Sequence, residues 1–246
     1  MKDGQSLIED KLNSAKYKKI LKANLLKPAA LIPILLLAFI AGCAIFAPIL
    51  APTNPYDLAI VSIMDSRLAP GEVMFNGTVA WLGTDGAGRD VLSAIIYGLR
   101  TSLIVALTSA AIALTVGLVV GLIAAFYGGK IDAFLMRIVD IQLSFPAILI
   151  ALVLLALLGK GIDKVIIALA IVQWALYART VRATAIVERR KEYIEAASTL
   201  GLNNFRIIVK HLLPNSISPL IVLATLQTAH SISCLLYTSD AADDLL

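Results

Sequence analysis

Residues 101–126 read TSLIVALTSAAIALTVGLVVGLIAAF, twenty-six positions without a charge. About 20 apolar residues in a helix cross the hydrocarbon core of a bilayer, so this run predicts a membrane span. The pattern recurs outward from it. Residues 29–56, 141–159, 165–178 and 212–239 also lack Asp, Glu, Lys and Arg. The run 165–178 is short, but Lys164 and Arg179 bound it and can carry their charges to the interfaces. The last run is long enough and carries Gln227, His230 and several hydroxyls. The fold class expected is an all-α, polytopic helical membrane bundle with about five spans.

Composition agrees. The 246 residues are 59% hydrophobic and 15% charged, with a mean hydropathy of +0.86. Soluble domains carry about 45–50% apolar and about 25% charged residues. That excludes intrinsic disorder and argues against a soluble enzyme. The net charge is +4. In a soluble chain a basic balance suggests nucleic acid, but membrane proteins gather Lys and Arg on the cytoplasmic side. Membrane lipid is the expected partner, and nucleic acid is not.

Sidedness follows from those cations. Sixteen of the twenty-one Lys and Arg fall in three places: residues 1–27, the Lys130 and Arg137 segment, and the stretch from Arg179 to Lys210. The alternate segments hold Arg67, Arg89, Arg100, Lys160 and Lys164. The positive-inside rule puts the N-terminus in the cytoplasm. The chain then reads as a basic cytoplasmic tail (1–27), a first span (28–51), an extracytoplasmic loop (52–98) and a core (99–232). Residues 40–43, IAGC, look like a lipoprotein cleavage box, but the apolar run continues past Cys43 and more spans follow. An uncleaved helix is the better reading. Cys43 and Cys234 make no disulfide framework. His211 and His230 lack metal-ligand spacing, and no GxxxxGK[ST] phosphate loop exists in the chain.

Within the spans, Gly117 and Gly121 form a GxxxG pair that lets helix backbones approach closely. Arg137 and Asp140 have i,i+3 spacing for a helical ion pair. Pro146 is expected to kink its helix. Gln173 is expected to hydrogen-bond another helix, and Trp174 and Tyr177 to anchor at the interface. No span centres an acidic or basic residue, which argues against a proton- or sodium-coupled carrier. In the external loop, residues 51–56 (APTNPY) fix bends. Thr84 or Asp85 is expected to cap a short helix starting near Arg89, with 91–97 lying along the membrane surface.

The cytoplasmic loop 188–214 is the most informative segment. Glu192, Ala196 and Leu200 share one helical face, and Glu195 and Thr199 share another. Gly201 suits a left-handed helix stop. Asn203 can cap a second short helix over about 204–212, which Pro214 ends by restricting Leu213. Two short helices meet at a glycine, and Ala196, Ala197 and Gly201 leave room for a partner surface.

These residues resemble a family. Glu195, Ala196 and Ala197, then Gly201, then His211, Leu213 and Pro214 resemble the EAA loop of ABC importer permeases, where Ile often stands at the position of His211. The form from His211 to Asn215 resembles the dipeptide/oligopeptide/nickel branch. Gly83, Thr84 and Asp85 with Gly88, Arg89 and Asp90, then Gly98 and Arg100 to Leu103, resemble the C-type subunit of that branch. So do Arg137 to Asp140 with Phe145 and Pro146. The resemblance runs from about residue 27 to about residue 232.

The resemblance implies the type I ABC importer permease fold in a bacterial or archaeal cytoplasmic (inner) membrane, with five of the usual six spans present. It implies a homologous B-type permease, two cytoplasmic ATPase subunits and an extracytoplasmic solute-binding protein as partners. It implies a transport subunit, not an enzyme, with no cofactor of its own and ATP and Mg on the ATPases. The EAA loop would seat in a groove on one ATPase, Glu195 making the polar contact. The external motif is expected to face the binding protein. Residues 233–246, SCLLYTSDAADDLL, match no part of the family pattern and read as a foreign tail. The rival expectations are a passive channel or secondary carrier, a scaffold, and a truncated fragment that does not transport.

Overall fold

In the computed structural model of the chain, residues 27–243 are described except Leu58 and Lys160, with side chains through residue 235. The expected cytoplasmic tail, apart from Lys27, lies outside the described residues. Nine α-helices are described and no strand. They are α1 (Pro28–Ile45), α2 (Ala47–Leu50), α3 (Val91–Tyr127), α4 (Gly129–Leu143), α5 (Ala147–Leu158), α6 (Ile162–Arg189), α7 (Glu192–Thr199), α8 (Asn204–Ile207) and α9 (Leu213–Asp243). A π-helical turn, Ile208–Leu212, joins α8 to α9. Four helical stretches are long and apolar enough to cross a membrane: α1, α3, α6 and Asn204–Leu235. The bent pair α4–α5 makes a fifth if it is counted as one span.

The chain forms two units that divide between Thr101 and Ser102, inside α3. In the first, α1 starts with Pro28 in its first turn and stops at Phe46. Pro48 lies in the first turn of α2, where its missing N–H costs nothing. The expected surface helix at 91–97 is instead the first two turns of α3. At 37 residues and 1.5 Å each, α3 is about 55 Å long against a core of about 30 Å. No breaker stands between Val91 and Tyr127, so the helix has no reason to stop where the apolar run begins.

In the second unit α6 is the central helix. It buries Ala168, Leu169, Ala170, Ala175, Tyr177, Ala178, Val181 and Ala185. Small residues let its neighbours come close, which is how helices associate in lipid. The GxxxG pair of α3 does this directly. A Cβ on Gly117 would stand 2.4 Å from Tyr177 Cβ, and one on Gly121 2.6 Å from the Ala178 carbonyl oxygen. Tyr177 is therefore core and not an interface anchor, with Trp174 packed against the same cluster. Gln173 Nε2 donates to Ser231 Oγ on α9 at 2.9 Å, the interhelical bond its position suggests.

The third apolar run breaks. Phe145 precedes Pro146 and is steered out of the helical region, so α4 ends at Leu143 and α5 leaves it at 87°. Asp140 does not pair with Arg137 as the spacing suggests. It pairs with Arg179 on α6. Two turns earlier on α4, Asp132 takes a forked ion pair from Arg182 at 2.5 and 2.6 Å. Gln142 Nε2 donates to the Ile171 carbonyl of α6 at 3.0 Å. Both carboxylates of α4 thus pair across to α6, and at Asp132 the Arg182 guanidinium meets the carboxylate as a fork, the strong geometry for such a pair. The polar end of α6 also extends ten residues beyond Arg179, well past the apolar run.

Candidate functional site

The motif at residues 83–90 folds as a tight hairpin. Thr84 and Asp90 form an antiparallel bridge. Asp85 N donates to the Arg89 carbonyl at 2.9 Å. Gly83 and Gly88 both have φ of 78°, the left-handed region that favours glycine. A Cβ on Gly88 would lie 2.0 Å from the Ser62 carbonyl oxygen, and one on Gly83 2.6 Å from that of Leu68. The Thr84 hydroxyl donates to the Asp65 carbonyl and accepts from Leu68 N at 2.8 Å.

Asp90, and not Thr84 or Asp85, caps the helix that follows. Its Oδ2 accepts from Ser93 N at 2.9 Å and from Ser93 Oγ at 2.6 Å. It is the residue immediately before α3, so its carboxylate reaches the third amide of the helix. Asp85 instead stiffens its own turn. Its Oδ1 accepts from Ala87 N and Arg89 N, both at 2.9 Å, and its Oδ2 from Arg89 Nε at 2.8 Å. Burial works to raise the Asp85 carboxyl, but the Arg89 amide and guanidinium and the Ala87 amide outweigh it. They hold the group below its ordinary 3.8. Asp90 is 1% exposed, while Asp85 and Arg89 reach solvent.

The loop 188–214 is organised differently. Helix α7 turns Ile194 and Ala197 into the core, while Glu195 and Ala196 face out. Its end is a Schellman turn. Gly201 has φ of 74°, with Gly201 N donating to the Ser198 carbonyl at 3.0 Å and Leu202 N to that of Ala197 at 3.2 Å. No atom stands within 4 Å of a Cβ built on Gly201. Beside it, Leu200 is 80% and Phe205 71% exposed. Asn203 Oδ1 accepts from Phe205 N at 3.1 Å and caps α8.

Pro214 does not end the second helix. A π turn over Ile208–Leu212 precedes it, and the helix runs on as α9. His211 is half-buried within the turn, Leu213 is half-buried and Pro214 is exposed. Pro146 lies at the bend between α4 and α5, away from both loops in sequence. A groove of about 480 Å³ opens beside Glu195, lined also by Ser198, Asp132, Arg189 and Phe126. Arg189 Nη1 donates to the Ala125 carbonyl at 3.1 Å and its guanidinium lies 5.6 Å from the Phe126 ring centre. The last turns of α3 and α6 are thus held together.

Three residues missed in the sequence reading organise this loop. Tyr193 Oη donates to Glu188 Oε1 and accepts from Asn215 Nδ2 at 3.0 Å. Asn215 Nδ2 also donates to the His211 carbonyl at 2.8 Å, and Lys191 Nζ lies 2.7 Å from Glu188 Oε2. Burial and then the bond to Glu188 push the Tyr193 phenol up to about 12. Only the i,i+4 spacing of His211 and Asn215 was available as a signal.

Comparison with known proteins fits this arrangement. Residues 117–238 match the binding-protein-dependent transport system inner membrane component family. The chain is 40% identical over 213 residues to the dipeptide transport system permease protein DppC of Alkalihalophilus pseudofirmus, covering 85% of this chain and 64% of that protein. It is 37% identical over 200 residues to the di/tripeptide permease DppC of Pseudomonas aeruginosa, covering 81% and 65%. It is 34% identical over 224 residues to the probable D,D-dipeptide permease DdpC of Escherichia coli, covering 91% and 71%. The chain belongs to this permease family. This permease is a multi-pass inner-membrane protein of the type I ABC permease fold and resembles the C-type subunits. It spans slightly less than two thirds of the length of the Alkalihalophilus and Pseudomonas proteins. The family match covers the whole loop 188–214 and runs to residue 238.

Proposed function

We propose that this permease is one membrane subunit of an ATP-driven importer for short peptides or a related small solute, and that loop 188–214 couples ATPase movement to its helices. The observation that carries the reading is the open surface around a fixed turn. Glu195, Ala196, Leu200, Gly201 and Phe205 are exposed, whereas most of the external motif is used up inside its own fold. A polar carboxylate beside two large apolar side chains is the composition of a docking core with a polar contact. In keeping with the family resemblance, ATP and Mg would sit on separate cytoplasmic ATPase subunits. A homologous B-type permease would complete the pathway.

The solute class rests on kinship with proteins named for dipeptide, di/tripeptide and D,D-dipeptide transport. The cations of residues 1–27 and 179–210 favour a cytoplasmic N-terminus and a cytoplasmic loop 188–214. The hairpin 83–90 then faces outward, with Asp85 and Arg89 available to a solute-binding protein. Coupling works mechanically. ATP binding closes the ATPases, α7 and α8 move with the groove that holds them, and α6 and α9 follow because the loop is continuous with both. The test is Gly201→Glu and Glu195→Lys in the complete transporter. Uptake is expected to fall at least tenfold, which corresponds to about 1.4 kcal/mol, with unchanged membrane insertion. Wild-type uptake in both variants would sink the coupling role.

A further inference from the structure

We propose that Tyr193 is a positioning residue for coupling, its hydroxyl locking α7 to the end of α6 and the start of α9 so that the three move as one body. The inference rests on the coupling reading above. The lock is built from two hydrogen bonds that converge on one oxygen. Glu188, on the last turn of α6 and 8% exposed, accepts the Tyr193 proton. Asn215, on the first turn of α9, donates to the same oxygen at 3.0 Å. The second amide hydrogen of Asn215 serves the His211 carbonyl at 2.8 Å, so the side chain is fixed from both sides.

The geometry explains why such a lock is needed. Helix α7 has eight residues, too few to persist alone in water. It turns only two side chains, Ile194 and Ala197, fully into the core. Its C-terminal end leads into Gly201, where a Cβ would meet no atom within 4 Å. A lever pinned only by two small apolar contacts would pivot when pushed and dissipate the movement. Tyr193 pins the N-terminal end to α6, and Asn215 carries the restraint across to α9. The π turn at Ile208–Leu212 lies on the α9 side of the same network, where its wider winding leaves the helix easiest to deform.

The experiment uses Tyr193→Phe and Glu188→Gln in the full chain, alone in detergent micelles and in the complete transporter in proteoliposomes. Phe keeps the ring and removes both bonds. Gln keeps an acceptor oxygen for Tyr193 and gives up the half-exposed ion pair with Lys191, a small term, so it serves as the conservative control. In the isolated chain, amide exchange over residues 194–202 is expected to rise about tenfold or more in Tyr193→Phe, as losing a hydrogen bond to a charged group implies. In Glu188→Gln it is expected to stay within about threefold. In the transporter, labelled dialanine carried per ATP hydrolysed is expected to fall at least threefold in Tyr193→Phe, with ATP hydrolysis retained. Unchanged exchange in Tyr193→Phe overturns the lock. Faster exchange with an unchanged transport ratio, while Gly201→Glu uncouples, overturns its role in coupling. If Gly201→Glu also leaves the ratio unchanged, it is the coupling role of the whole loop that has failed.

Discussion

The two motif-bearing loops spend their special residues in opposite ways. In the hairpin 83–90, Gly83, Thr84, Gly88 and Asp90 are all committed to the chain's own backbone, through carbonyl contacts, a bridge and a helix cap. In the loop 188–214, Glu195, Ala196 and Gly201 face outward, and a Cβ on Gly201 would meet open space. Both loops carry a specific pattern. One pattern is specific because a fold demands it, the other because it leaves a surface for something else. Glycine shows the contrast most sharply. Gly88 and Gly201 share a positive φ, but only Gly88 is also enclosed.

That contrast can be broken first at Gly88. Gly88→Ala combines a disfavoured backbone with a Cβ 2.0 Å from a backbone oxygen. The hairpin is expected to lose roughly 3 kcal/mol of local stability, read as faster amide exchange over residues 62–90. Gly201→Ala is expected to cost only about 1 kcal/mol, the backbone term alone. Equal costs at the two sites would dissolve the distinction.

The second prediction separates docking from folding at Gly201. Asn tolerates the left-handed region, and its Cβ would meet no atom within 4 Å. Gly201→Asn is therefore expected to leave exchange in α7 close to wild type while uptake falls about tenfold in the complete transporter, about 1.4 kcal/mol in effect. Normal uptake would mean that the open space at Gly201 is only solvent.

The third prediction concerns Asp90. Asp90→Ala is expected to destabilise the start of α3 by about 1 kcal/mol, measured as exchange at residues 91–95. Asp90→Asn keeps an acceptor for Ser93 and is expected to fall within a few tenths of wild type. Because Asp90 is 1% exposed, a partner cannot reach it. A binding-protein affinity that dropped in Asp90→Asn with an intact α3 would contradict its assignment as a cap.

What the sequence made legible follows from which forces act locally. The apolar runs, the GxxxG crossing, the break at Pro146 and the glycine stop at Gly201 depend on the composition of one segment or the conformational limits of one residue. Each could be read without a partner. The errors came where a distant side chain decided the outcome. Asp140 chose Arg179, thirty-nine residues away, over Arg137, and Tyr177 became core because Gly117 admits it. Pro214 looked like a stop because a π turn has no composition signal. Tyr193, Glu188 and Asn215 come together only after α6 and α9 have packed.

The smallest expected effect lies at the ion pair of the hairpin, which reaches solvent. Asp85 and Arg89 are half-exposed, and such pairs contribute about 1 kcal/mol or less. Asp85→Asn preserves an acceptor for the Ala87 and Arg89 amides and removes only the ion pair, so hairpin protection is expected to change little. The sign of its pH dependence follows from its held-down carboxyl. A depressed folded value contributes stability above the ordinary 3.8 and loses it as pH falls through the lower folded value. Protection over residues 85–89, corrected for intrinsic exchange, is thus expected to be flat from about pH 5 to about pH 8 and to decline only in stronger acid. A transition near neutrality would mean that another group controls the turn. If Asp85→Asn lowers uptake while protection holds, the external hairpin too presents a working surface, confined to these two side chains on a frame that the glycines, Thr84 and Asp90 build.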